Sequence, residues 1–142
     1  MEPKLKDAFR QKVKDEPFAC KMGIKLVEVG AGHAVVEMET KAEDQNILGM
    51  THGGAIFSLI DEAFEISSNS HGMIAVALNM SVTYHQAPEQ ETILRAESRE
   101  IHRSRKTATY KIRVTDSSHD LIASCSALVY RMQKKVPFLA EE

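Results

Sequence analysis

The chain of 142 residues has no tryptophan, two cysteines, four prolines and seven glycines. Cys20 and Cys125 stand far apart, in neither a metal nor a redox spacing. That excludes a disulfide framework and fits a reducing cytoplasm. So few prolines and glycines exclude a collagen-like or low-complexity chain. No apolar run approaches the roughly 20 residues that cross a bilayer as a helix, so no membrane partner is expected. The opening MEPKLKDAFRQKVKDE is charged throughout and does not read as a signal peptide. An excess of one charge is lacking too. Eighteen basic against twenty acidic residues leave −2, no general attraction for nucleic acid or anionic lipid. What is present is 43% apolar and 27% charged, the balance of a globular chain of single-domain length, 1–142.

The richest stretch runs from Asn46 to Ser68, NILGMTHGGAIFSLIDEAFEISS. Its polar loop ends in His52-Gly53-Gly54 and opens into a helical pattern. Ala55, Ile56, Leu59, Ile60, Ala63 and Ile66 recur at steps of three and four, and Phe57 and Phe64 widen the stripe. A helix apolar over most of its circumference is a central one, wrapped by other elements. Asp61 sits in its middle, followed by Glu62 and Glu65. A carboxylate there either points out of the packing or is held inside it for chemistry.

Around this stretch, Pro3 to Lys14 reads as an amphipathic helix with Leu5, Phe9 and Val13 on one side. Phe18 to Gly23 leads into a strand at Ile24 to Val29. Gly30-Ala31-Gly32 turns into a second strand, His33 to Thr40. After the helix, Ile74 to Tyr84 alternates with period two, Ile74, Val76, Leu78, Met80, Val82 and Tyr84 on one face. Ala87-Pro88-Glu89 breaks it. Strands follow at Thr92 to His102, Thr107 to Thr115 and Leu121 to Met132, and the charged tail from Gln133, with Pro137, is expected to be loose. The order predicts an α+β fold, an antiparallel β-sheet wrapped around one long central helix.

Elementary chemistry gives the loop–helix junction two readings. The first backbone N–H groups of a helix lack partners within it, and glycines let a carbonyl oxygen approach them. With the helix dipole, such a site stabilises an oxyanion, and losing one donor costs about 3–4 kcal/mol of barrier. Alternatively, Thr51 caps the helix and the glycines only permit close packing. Asp61 lies about 12 Å along the helix from Gly53, too far for both to grip one carbonyl in one chain. Asn46, in the loop, reads as a turn residue. His33, His71, His85, His102 and His119 are scattered, so no metal site is expected. His102-Arg103-Ser104-Arg105-Lys106 is the densest basic cluster, a solvated turn or a phosphate-binding site.

These residues resemble a known family. Asn46-x-x-Gly49-x-x-His52-Gly53-Gly54 followed by Leu59-x-Asp61-x-Ala63 is similar to the central signature of the PaaI-like (phenylacetic-acid-degradation type) acyl-CoA thioesterases, which have the hot-dog fold. Leu78-x-Met80-x-x-x-Tyr84, Ala87-Pro88 and Ser104-Arg105-Lys106-Thr107-Ala108 extend the similarity, which spans Gly23 to Arg131. The resemblance implies hydrolysis of an acyl-CoA to acid and CoA, with no cofactor beyond the substrate's own coenzyme A. It implies a homodimer or homotetramer whose sites are shared, the glycine donors of one subunit facing the carboxylate of the other. Asp61 would be general base or nucleophile, Gly53 an oxyanion donor, His52 a positioning residue and Asn46 an orienting amide. Gly54, Phe57, Asn79, Tyr84, Arg103, Arg105 and Lys106 would line the substrate and CoA path. Glu65 is a rival carboxylate that the pattern does not call for. Ala77 stands where some relatives have Ser or Thr, with Ser81 and Thr83 out of register. Two other functions fit a hot-dog chain: a 3-hydroxyacyl or enoyl thioester dehydratase or hydratase, and a non-catalytic acyl-CoA binding protein.

Overall fold

A computed structural model describes residues 1–139. In order, the elements are α1 (Pro3–Asp15), α2 (Pro17–Met22), β1 (Lys25–Gly30), β2 (His33–Glu39), α3 (Gly53–Asn69), β3 (Met73–Tyr84), β4 (Ile93–Arg103), β5 (Thr107–Thr115) and β6 (Leu121–Lys135). Short 3-10 turns lie at Ala42–Asp44 and Pro137–Leu139. The six strands form one antiparallel sheet in the order β1-β2-β4-β5-β6-β3. The sheet curls round α3, the arrangement the hot-dog resemblance implies.

The packing follows from the pattern on α3. Ala55, Ile56, Leu59, Ile60, Ala63, Phe64 and Ile66 are all buried, and meet Val36 and Met38 of β2, Leu94 of β4 and Ile112 of β5 in one core. β5 shows why alternation reads so cleanly. Ala108, Tyr110, Ile112 and Val114 face α3 and are buried, and Tyr110 meets Phe64 edge-on at 5.5 Å. β3 behaves differently. As an edge strand it leaves Val76, Leu78 and Tyr84 exposed, and its alternating apolar face, expected to be buried, is half-buried only at Ile74, Met80 and Val82.

Two expectations change. Between α1 and β1 the chain forms the helix α2, with Pro17 at its first turn and Gly23 closing it at φ 72°. Six residues are too short for periodicity to show, and the punctuation by Pro and Gly is the signal that mattered. The tail from Gln133 is not loose as far as Leu139. β6 continues to Lys135, Val136 is buried, and Phe138 meets Phe9 of α1 edge-on at 5.1 Å. The rest of that tail lies outside the described residues.

At the C-terminal end of α3 a polar network joins three elements. His71 Nε2 donates to Glu100 Oε2 at 2.6 Å, and Tyr110 Oη donates to the same oxygen at 2.8 Å. The Arg103 guanidinium donates to His71 Nδ1, fixing the tautomer. The β1–β2 turn packs on this strand. Gly32 has φ 67°, and a Cβ there would lie 2.8 Å from that of Glu100, so only glycine fits. Burial alone raises the Glu100 carboxyl, but the bonds from His71 and Tyr110 and the nearby Arg103 outweigh it and hold it below the ordinary value. A lowered pKa contributes stability above the unfolded-state value and loses it as pH falls through the folded one. Glu100→Gln should therefore lower the melting temperature at neutral pH, and the gap to wild type should close below the ordinary carboxylate range. Thermal melts at a series of pH values test this; a gap independent of pH would mean the glutamate acts by shape alone.

Candidate active site

The loop before α3 is built by its own side chains. Asn46 Oδ1 accepts from the Leu48 and Met50 amides at 2.9 and 3.1 Å, and the Asn46 amide donates to Met50 O at 2.7 Å. Gly49 takes φ 75° at the tip. Asn46 is thus a turn-former through its oxygen, while among the described residues its Nδ2 meets no partner. The turn pushes Ile47 and Leu48 outward, 102% and 71% exposed. The His52 amide then donates to Asp44 O at 2.7 Å, which fixes where the helix begins.

The cap is His52, not Thr51. Its Nδ1 accepts from the Gly54 amide at 2.8 Å. An accepting Nδ1 puts the ring proton on Nε2. Ala55 and Ile56 donate back to His52 O. Of the two glycine amides expected as donors, Gly54's is spent on the cap. The Gly53 N–H has no partner among the described residues. It is the open donor at the positive end of a 17-residue helix. Tyr84, at the end of β3, donates its hydroxyl to Gly53 O at 3.1 Å, on the peptide that follows the open one. A Cβ on Gly53 would rest on the Tyr84 ring at 3.5 Å.

The carboxylate question receives a divided answer. Asp61 points outward and is exposed, on a stripe with Gly54, Ser58 and Glu65; the half-buried Phe57 flanks it. The carboxyl held inside is its neighbour Glu62, 2% exposed. Partial burial, with Glu16 adding repulsion, raises the Asp61 carboxyl above its ordinary value. Burial and the Glu16 charge push Glu65 up to about 7. Glu62 is pushed well above the carboxylate range by burial and by Glu16 against it. Glu16 joins α1 to α2, so its approach to α3 is a tertiary event that linear spacing does not announce.

β3 runs antiparallel to α3 along this stripe. Tyr84 touches Gly53 at one end, and Asn69 bonds the Ala75 amide at the other. Asn79 and Ala77 are exposed on β3 at a bulge opposite Leu128 and Val129. The basic turn lies elsewhere. Arg103 is drawn to His71 and Glu100 at the far end of α3, about 25 Å from Gly53 by helix length. Arg105 and Lys106 are exposed beside it, their carbonyls tied to Arg131. One chain therefore brings together Asn46, His52, Gly53, Gly54 and Tyr84. It places Asp61 two turns away and the basic turn at the opposite end. The only group of three metal-ligating side chains among the described residues is Glu16, Glu62 and Glu65, with no histidine in it. No helix among them is long and apolar enough to cross a membrane.

Comparisons with known proteins match this region. Residues 48–123 match the thioesterase superfamily. An Archaeoglobus fulgidus protein named "Putative esterase" is 42% identical over 113 residues, 80% of this chain and 73% of that protein. The acyl-coenzyme A thioesterase PaaI of Escherichia coli is 30% identical over 102 residues, 72% of this chain and 73% of that protein. The solved structure of E. coli PaaI superposes with a TM-score of 0.86, at 26% identity, covering 92% of this chain and 98% of that one. A Streptococcus mutans structure bound to acetyl CoA superposes with a TM-score of 0.76, at 27% identity, covering 80% and 91%.

The cap is open to a direct test. His52→Ala should cost about 1 kcal/mol in chemical denaturation, while His52→Asn, whose oxygen can accept from the same amide, should retain most of that. Equal stability in all three proteins would remove the capping role.

Proposed function

This chain belongs to the thioesterase superfamily as a PaaI-like hot-dog thioester hydrolase, and on that premise we propose that it hydrolyses acyl-coenzyme A to a free acid and CoA. The observation that carries the proposal is the open Gly53 N–H at the N-terminus of α3, with Asp61 exposed on the same helix. The thioester oxygen accepts from Gly53, and negative charge that grows on it is stabilised by that amide and the helix dipole. Tyr84 anchors the following peptide through Gly53 O, and His52 fixes the helix start. Asp61 takes a proton from the attacking water, and its raised proton affinity suits a base better than an ordinary aspartate would. Water oxygen bonds to the carbonyl carbon, the carbon–sulfur bond breaks, and the thiolate leaves to be protonated as CoA. Attack by Asp61 on the carbon is the second reading, and isotope from labelled water incorporated into Asp61 would favour it. Asn46 Nδ2, Gly54, Phe57 and Asn79 would line the acyl-CoA path. The reaction consumes only water and acyl-CoA, and the free thiols of Cys20 and Cys125 suit a cytoplasmic setting.

The acting unit in this proposal is at least a dimer. β3 is a 12-residue edge strand with Val76 and Leu78 exposed, and the polar stripe of α3 lies along it. Such an edge is a template for pairing. A second copy joined across β3 would set the two α3 helices antiparallel, turning Asp61 of one toward Gly53 of the other, and the basic turn of one toward the other's site. The exposed Ile47 and Leu48 would be covered in the same step. Arg105 and Lys106 would then meet CoA phosphates, with Arg103 held back by His71 and Glu100.

Two measurements address this. Asp61→Asn should keep the fold and acyl-CoA binding while lowering kcat by about a hundredfold or more in a thiol-release assay across an acyl-CoA panel. Unchanged turnover would sink the mechanism. Separately, inactive Asp61→Asn and inactive Gly53→Val proteins should regain a fraction of wild-type activity when mixed under subunit exchange, because one site of the heterodimer has neither defect. A mixture that stays inactive despite proven exchange would place each site within one chain.

A further inference from the structure

Beside the proposed site lies a second arrangement that hydrolysis does not use. Glu16, at the α1–α2 junction, and Glu62 and Glu65, one turn apart on α3, place one oxygen each within 4.8 Å of one another. Exposed acidic groups often gather without purpose, but Glu62 is not exposed. Its Oε1 is fully buried and meets no hydrogen-bond donor among the described residues. A buried acceptor in that condition costs about 1–3 kcal/mol unless something satisfies it. No lysine, arginine or histidine forms an ion pair with any of the three among those residues. Lys12, the nearest basic group on the shared cavity wall, sits over the Phe138 ring instead, 6.0 Å from its centre.

The cluster is also reachable. A cavity of about 450 Å³ opens between α1, α3 and the C-terminal segment, and Glu16, Glu65 and Asn69 are the oxygen-bearing side chains on its wall. Glu62 is not on that wall, and one of its oxygens lies within 4.8 Å of an oxygen of Glu16 and of Glu65. Three carboxyl groups at this separation cannot all carry charge unaided, and a multiply charged cation that takes oxygen ligands would relieve them. We propose that Glu16, Glu62 and Glu65 bind a divalent cation of the hard, oxygen-seeking class (Mg²⁺, Mn²⁺ or Ca²⁺), entering through this cavity and completed by water. The ion clamps the α1–α2 junction to α3 on the helical turn that follows Asp61. Its role is structural, and it stands whether or not the proposed hydrolysis is right.

The full-length protein, stripped with EDTA and dialysed, is titrated separately with MgCl₂, MnCl₂ and CaCl₂ by calorimetry, and its melting temperature is followed. One ion per chain should bind, and saturation should raise the melting temperature by several degrees. Glu62→Gln and Glu65→Gln should each weaken binding at least about tenfold, while Asp120→Asn, in a distant turn, should leave it unchanged. Glu65 is exposed, so its variant keeps the test sound if Glu62→Gln folds poorly. No binding at about 1 mM of any of the three ions overturns the proposal, and so does binding that survives both glutamine variants. If the cluster instead shares a proton, the wild type takes up no ion and Glu62→Gln melts higher than wild type, which also overturns it.

Discussion

Everything in this molecule answers to the apolar circumference of α3. A helix that hides seven apolar side chains, five of them large, cannot lie on a flat sheet, because a flat sheet covers one side only. The sheet has to curl, and its strands from β2 through β6 each contribute inward residues to do so. What the curl cannot reach is a narrow stripe, Gly54, Ser58, Asp61 and Glu65, and that stripe is where the polar chemistry is found. Exclusion from the core, not placement within it, puts Asp61 where a substrate can meet it.

The same geometry separates functions along the helix. At its start a backbone amide is left open because the imidazole beside it caps the next one. At its end the His71, Glu100, Tyr110 and Arg103 network fastens the last turn to β4 and β5. A rigid rod anchored at its far end gives the open amide a fixed direction. The donor therefore arrives preorganised, which is what electrostatic catalysis requires.

Much of this was legible in residue order. The span of α3 and the inward set on β5 follow from periodicity, because burial on one face is what periodicity records. The loop motif pointed to Asn46, His52 and Gly53, and the structure brings them together with Tyr84. Less legible was which carboxylate goes inside. Asp61 and Glu62 are adjacent, so a pattern of apolar neighbours favours neither; the outcome turns on α2 and Glu16, which pack there from a distant part of the chain. The spending of the Gly54 amide on His52 was hidden for a similar reason, since histidine is not a usual cap. The helix α2 was too short to display a period, and the docking of Phe138 depends on a partner near the other end of the chain.

That last contact bears on how the chain is made. α1 leaves the ribosome well before Phe138, yet Phe9 of α1 packs edge-on against that ring. β3 must likewise wait for β6, its one partner strand among the described residues. α1 thus waits for a distant later segment to complete its contacts. Until β6 and Phe138 emerge, the nascent chain shows both an uncovered helix face and an unpaired strand, the two surfaces that chaperones and stray neighbours grasp most readily.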